Sequence, residues 1–171
     1  MAKFPLFKLN NADSPKGQLI VEAIIAITFL IIGVLTFFGL LAQSMGYYRI
    51  ISDQYTATYL AAEGIEVTKN IIDSNYLQKL PWNQGILAGD YEVDYKTTSL
   101  SQLNQNRYLR IDGSGVYDYD INGRLSPFKR IVSVATPSAG EIVVNSTVTW
   151  SERGIIYKVN LEDHFFDWRT P

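Results

Sequence analysis

The sequence predicts an α+β chain: one long amino-terminal helix packed against an antiparallel β-sheet. Three observations predict it. Residues 23–42 form an apolar run with no charge and only Thr28 and Thr36 as hydroxyls. From 43 to 75 the chain has no proline, and apolar residues recur at three- and four-residue steps, the period of a helix with one buried face. Beyond Pro81 and Gly85 the pattern changes to alternation at period two, punctuated by turn residues, as in half-buried strands.

Taken in order, residues 1–17 carry Lys3, Lys8 and Lys16 against one acid, Asp13. That bias favours a cytoplasmic amino terminus. A secretory signal would place a short apolar stretch before its small-residue cleavage site. Here the small residue, Gly17, precedes the run. Twenty apolar residues at a rise of about 1.5 Å cover roughly the 30 Å of a bilayer's hydrocarbon core, so residues 18–42 are expected to span a membrane. Glu22 stands at the edge of that span, where a carboxylate is costly unless it reaches the headgroups or finds a cation.

Residues 43–75 are expected to extend the same helix outside the bilayer, with Ile51, Tyr55, Thr58, Ala62, Ile65 and Ile72 as its apolar stripe. Ala57, Ala61 and Gly64 form a second line of small residues, along which another backbone can approach. Glu66 and Lys69 are spaced to pair on the wet side. Residues 76–171 read as the β domain. Tyr91, Val93 and Tyr95 alternate with Glu92 and Asp94, and residues 108–111, 116–120, 128–135, 141–150 and 154–161 are further strands. Asn122-Gly123 is a two-residue hairpin signal, and the short connections imply an antiparallel meander.

Composition bounds the function. Beyond residue 42 there are 12 basic and 15 acidic residues, which argues against a nucleic-acid surface. There is no cysteine, so an extracytoplasmic domain rests on its core without disulfide support. His164 is the only histidine. With no nucleophile–base pair or phosphate-binding glycine loop in the sequence, no enzyme is expected. Asp118-x-Asp120-x-Asn122-Gly123 matches the opening of a calcium loop, but Lys129 holds the twelfth position, where a bidentate glutamate belongs. The competing reading is a strand with acids facing water, and no cofactor is expected. Most aromatics of the β domain are expected in its core, with Phe165-Phe166-Asp167-Trp168, after the last strand, as the candidate exposed patch or as a segment docked back on the helix.

Gly17, followed after four residues by Glu22 at the head of an apolar helix, resembles the cleavage and methylation signal of type IV pilins and pseudopilins. The resemblance covers about thirty residues. It implies that a membrane prepilin peptidase cuts after Gly17, that Gln18 becomes the methylated first residue, and that Glu22 pairs with the free terminus of a neighbouring subunit. Gln18 stands where phenylalanine is more usual. The family's frequent mid-helix proline is absent, leaving Gly33 and Gly39 as the helix-weakening residues, or else as points of close packing. The implied protein is a structural subunit of a bacterial pilus (fimbrium) or secretion-type pseudopilus. It would be made in the inner membrane with its carboxyl domain outside and assembled with other pilin subunits by inner-membrane machinery. The alternative is a membrane-anchored extracytoplasmic binding or adhesin domain that never polymerises.

Overall fold

The computed structural model describes residues 15–100 and 105–168. Lys3, Lys8 and Asp13 of the leader lie outside the described residues. The chain divides into two compact units, Met1–Tyr48 and Arg49–Pro171. Helix α1, Pro15–Leu77, contributes to both. It is followed by six strands: β1 (Gly89–Tyr91), β2 (Tyr108–Ile111), β3 (Tyr117–Asp118), β4 (Arg124–Ser138), β5 (Glu141–Glu152) and β6 (Ile155–Phe166).

The described part of the first unit is helix alone. Its large apolar side chains from Leu19 to Leu41 are all exposed, and α1 is long and apolar enough to cross a membrane. The two hydroxyls of residues 23–42 are satisfied within the helix: Thr28 Oγ1 donates to the Ile24 carbonyl at 2.7 Å and Thr36 Oγ1 to the Ile32 carbonyl at 2.8 Å. Such back-bonding hides the polar groups that hydrocarbon would leave unpaired.

In the second unit α1 lies on an antiparallel sheet of order β3-β2-β4-β5-β6, with β1 also paired to β4. Strand β4 is long enough to take two partners on one side. Arg110 of β2 faces Leu125 near its start, and Tyr91 of β1 faces Val132 farther along. Strand β5 alternates in burial through ten residues, as expected of a sheet with one face on a helix. Two clusters fill the interface. One joins Val67, Ile71 and Ile72 of α1 to Val132, Val134, Ile142 and Val144; the other joins Ala57, Leu60 and Ala61 to Leu109, Phe128, Val148 and Trp150.

The face that α1 turns to the sheet follows the expected stripe only at its end, where Ile72 is buried and Ile65 packs against the same cluster. Ile51, Tyr55, Thr58 and Ala62 are exposed, whereas Ala57, Ala61 and Gly64 are buried. The small-residue line wins because a sheet can approach a helix closely only where side chains are short. At Gly64 the approach is extreme: an added Cβ would lie 2.5 Å from Ser146 Oγ and 2.9 Å from Val132 Cγ2.

The helix ends a few residues later than the pattern suggested, through a defined cap. Leu80 N donates to the Asn75 carbonyl at 2.9 Å and Lys79 N to the Tyr76 carbonyl at 3.1 Å, with Lys79 at φ 57°. These are the two bonds of a Schellman motif, closed by a left-handed residue, and Pro81 prevents renewal. Asn75 Nδ2 then donates to the carbonyls of Trp82 and Gln84, fastening the exit loop.

Three strand expectations are corrected. Residues 91–95 do not alternate: β1 stops at Tyr91, and Glu92 is buried because its carboxylate accepts from both Arg107 N and Arg107 Nε, at 2.8 and 2.7 Å. Asn122-Gly123 does not join paired strands, since β2 lies between β3 and β4; the turn instead carries the chain across the end of β2, so the sheet is not a simple meander. Strand β6 runs to Phe166, so Phe165 and Phe166 belong to the last strand rather than following it.

Candidate functional site

Gly17, Gln18 and Glu22 all fall in the first turns of α1, beside Val21 and Ile25 on an open surface of the helix. Nothing lies within 4 Å of a Cβ added at Gly17, the helix's own adjoining backbone aside. Glu22 is exposed. Among the described residues no cation lies within ion-pair distance of it. One carboxylate on an otherwise apolar helix surface therefore has no counter-charge among the described residues. Gly33 and Gly39 continue the helix without interruption, and nothing lies within 4 Å of a Cβ added at either. Neither is close-packed against the described residues.

The calcium candidates are brought together only in part. Asp118 does not face water: it is fully buried, and its Oδ2 accepts from Lys96 Nζ at 2.7 Å while its Oδ1 accepts from Asp120 N. Asp120 Oδ1 accepts from the backbone and side-chain amides of Asn122. The Asp118 bond, ahead of a lesser one to Tyr95, holds the Lys96 ammonium above lysine's ordinary range. A lysine thus supplies the positive charge that a cation would bring, and calcium would have to displace it. Among the described residues no group of three acids, histidines or cysteines is placed to hold a metal ion.

His164 sits on the solvent face of β6 between two carboxylates, Nδ1 at 2.8 Å from Glu141 and Nε2 at 3.4 Å from Glu162. These contacts, Glu141 first, raise its pKa above imidazole's ordinary 6.5. Because the folded value lies above the unfolded one, the stabilisation is complete below pH 6.5 and is lost as pH rises through the raised folded value. An NMR titration of the His164 ring is expected to give a midpoint above 6.5. Glu141→Gln should lower it more than Glu162→Gln does, and a midpoint indifferent to Glu141 would contradict the pairing.

The aromatics divide much as the strand pattern implied. Trp82, Tyr91 and Trp150 are buried, and Tyr117, Tyr119, Tyr157 and Phe165 pack against the clusters. Tyr95, Tyr108, Phe166 and Trp168 are exposed. The closing segment is both patch and dock. Tyr76 OH donates to Asp167 Oδ1 at 3.1 Å, while Phe166 and Trp168 border a cleft of about 410 Å³ with Lys69, Ile72, Asp73 and His164.

Arg130 was not among the residues the sequence singled out. It is buried between helix and sheet, donating to the carbonyls of Leu60 and Val93, and it pairs with Glu63 at 3.1 Å. Strand parity was the available signal, since Phe128, Arg130, Val132 and Val134 share one face. No protein-family model, curated protein or solved structure matches the chain.

Proposed function

We propose that the chain is a structural subunit of a pilin-type filament, inserted in the membrane through α1, cut after Gly17 and assembled by packing of its apolar helix against copies of itself or related subunits. The observation that carries this reading is the pairing of an exposed apolar stretch of α1, Leu19 to Leu41, with one carboxylate near its start that has no cation partner among the described residues. A helix meant only to sit in lipid gains nothing from Glu22, which is costly there. A helix that leaves lipid for a bundle has a use for it, because a carboxylate among apolar neighbours fixes register once a cation lies beside it. Cleavage after Gly17 would provide that cation as the new amino terminus of Gln18. The α+β outer domain, built on the second half of the same helix, accords with this role. It contains no cofactor in this reading and catalyses nothing.

Mass determination of the protein purified from its host membrane is expected to find a chain beginning at Gln18. Methylation would add about 14 Da, the mass of the CH₂ by which the terminus grows. A chain retaining its first seventeen residues would overturn the filament reading. It would favour the second one, a tethered binding domain, to which the aromatic cleft beside Phe166 and Trp168 lends some support.

A further inference from the structure

We propose that the tip of the β5–β6 hairpin, residues 153–156, is a second membrane-contact site that seats its two isoleucines in the interfacial layer of the bilayer entered by α1. The inference rests on the membrane-spanning reading of residues 18–42. Glu152 pairs with Ile155, leaving Arg153 and Gly154 as the two-residue turn, at φ 52° and 79°. Turns of this kind favour Asn, Asp or Gly at both positions. Arginine in a left-handed conformation is uncommon, so turn geometry alone does not call for it.

Ile155 and Ile156 follow at once. Consecutive strand residues point to opposite faces, yet these two are 58% and 77% exposed. The tip is therefore an uncovered tongue, apolar on both faces. Water disfavours that arrangement, while the boundary between headgroups and acyl chains accepts it, with the arginine left among the headgroups.

The tip also lies at the right end of its unit. Trp150 and Tyr157, the pair just inside it, stack at 5.4 Å and pack in the cluster with Ala57. Glu152 is near enough to Asp53 to raise its pKa after burial has done so, and Arg49 acts on the same carboxyl in the opposite sense. The hairpin tip thus belongs to the end of the unit that begins at Arg49. Six residues lie between Ala42 and Arg49, and the seven steps bound the distance between them at about 25 Å even if fully extended. Such a tether gives a weak contact a high effective concentration. Arg49 and Arg153 are balanced by Asp53 and Glu152, so apolar burial and not net charge selects the occupant, and the occupant within reach of the tether is lipid.

The chain has no native cysteine, so single cysteines can carry an environment-sensitive fluorophore. In the full chain reconstituted in phosphatidylcholine vesicles, labels at Ser151→Cys, Phe37→Cys and Leu87→Cys are compared for quenching by acyl-chain nitroxides. Ser151 is exposed beside Ile156, and its replacement keeps both isoleucines. The expected result is strong quenching at position 37, severalfold more quenching at 151 than at 87, and loss of that difference when Ile155→Ser and Ile156→Ser are added. Quenching at 37 with equal, low values at 151 and 87 overturns the hairpin contact. No quenching at 37 overturns the membrane reading on which it rests.

Discussion

Gly64→Ala is expected to destabilise the outer unit by about 1–3 kcal/mol, the range found for overpacked cores. On propensity alone the change should help, because alanine exceeds glycine by up to about 1 kcal/mol inside a helix. Packing reverses the sign. The new methyl would stand 2.5 Å from Ser146 Oγ, 2.9 Å from Val132 Cγ2 and 3.3 Å from Arg130 Cδ. The serine can turn away, but Val132 is branched at Cβ and fixed in the middle of β4, and Arg130 is tied to Leu60 and Val93. Helix and sheet must therefore separate, loosening both clusters. Thermal unfolding of the full chain in detergent, followed by tryptophan fluorescence, should shift down by on the order of 4 °C per kcal/mol. Ser146→Gly should recover part of the loss in a double-mutant cycle. Gly33→Ala provides the contrast: with nothing within 4 Å of its Cβ, it should leave the transition unchanged or raise it. A Gly64→Ala protein as stable as the parent would mean that the helix does not lie so close to β4 and β5.

Glu22→Ala is expected to leave membrane insertion and cleavage intact and to abolish assembly. Removing the carboxylate makes the helix more apolar, so insertion does not suffer. Within a filament, however, it would strand the ammonium of a neighbour's Gln18 in an apolar bundle. Breaking one side of a buried pair costs about 3–5 kcal/mol, at least a hundredfold in each subunit contact. The fraction recovered in sheared filaments should fall to background while the processed protein accumulates in the membrane. Glu22→Asp keeps the charge on a shorter arm and should assemble partially. Normal incorporation of Glu22→Ala would end the register role assigned to this residue.

The helix and the sheet were legible because each writes its period into the chain. Continuous helical spacing up to Asn75, Pro81 as a stop, and alternation from residue 141 to Trp150 led to the right elements. What hydrophobicity could not reveal was which face of the helix the sheet covers. Scales rank side chains by transfer energy, whereas a sheet lying close to a helix selects for small size, so Gly64 and Ala57 outrank Ile51 and Tyr55. Buried charges were hidden for a similar reason. Glu92, Asp118 and Arg130 look like surface residues until Arg107, Lys96 and Glu63 are brought to them from distant parts of the chain. At the amino terminus, the spacing of Gly17 and Glu22 drew attention to residues that are exposed and without an ion-pair partner among the described residues.

Because the inner face of the sheet is completed by side chains from Ala57 to Ile72, the strands do not own a core of their own. A soluble fragment beginning after Leu77 would present Val132, Val144, Val148 and Trp150 to water and should aggregate. One beginning at Arg49 keeps every side chain of both clusters.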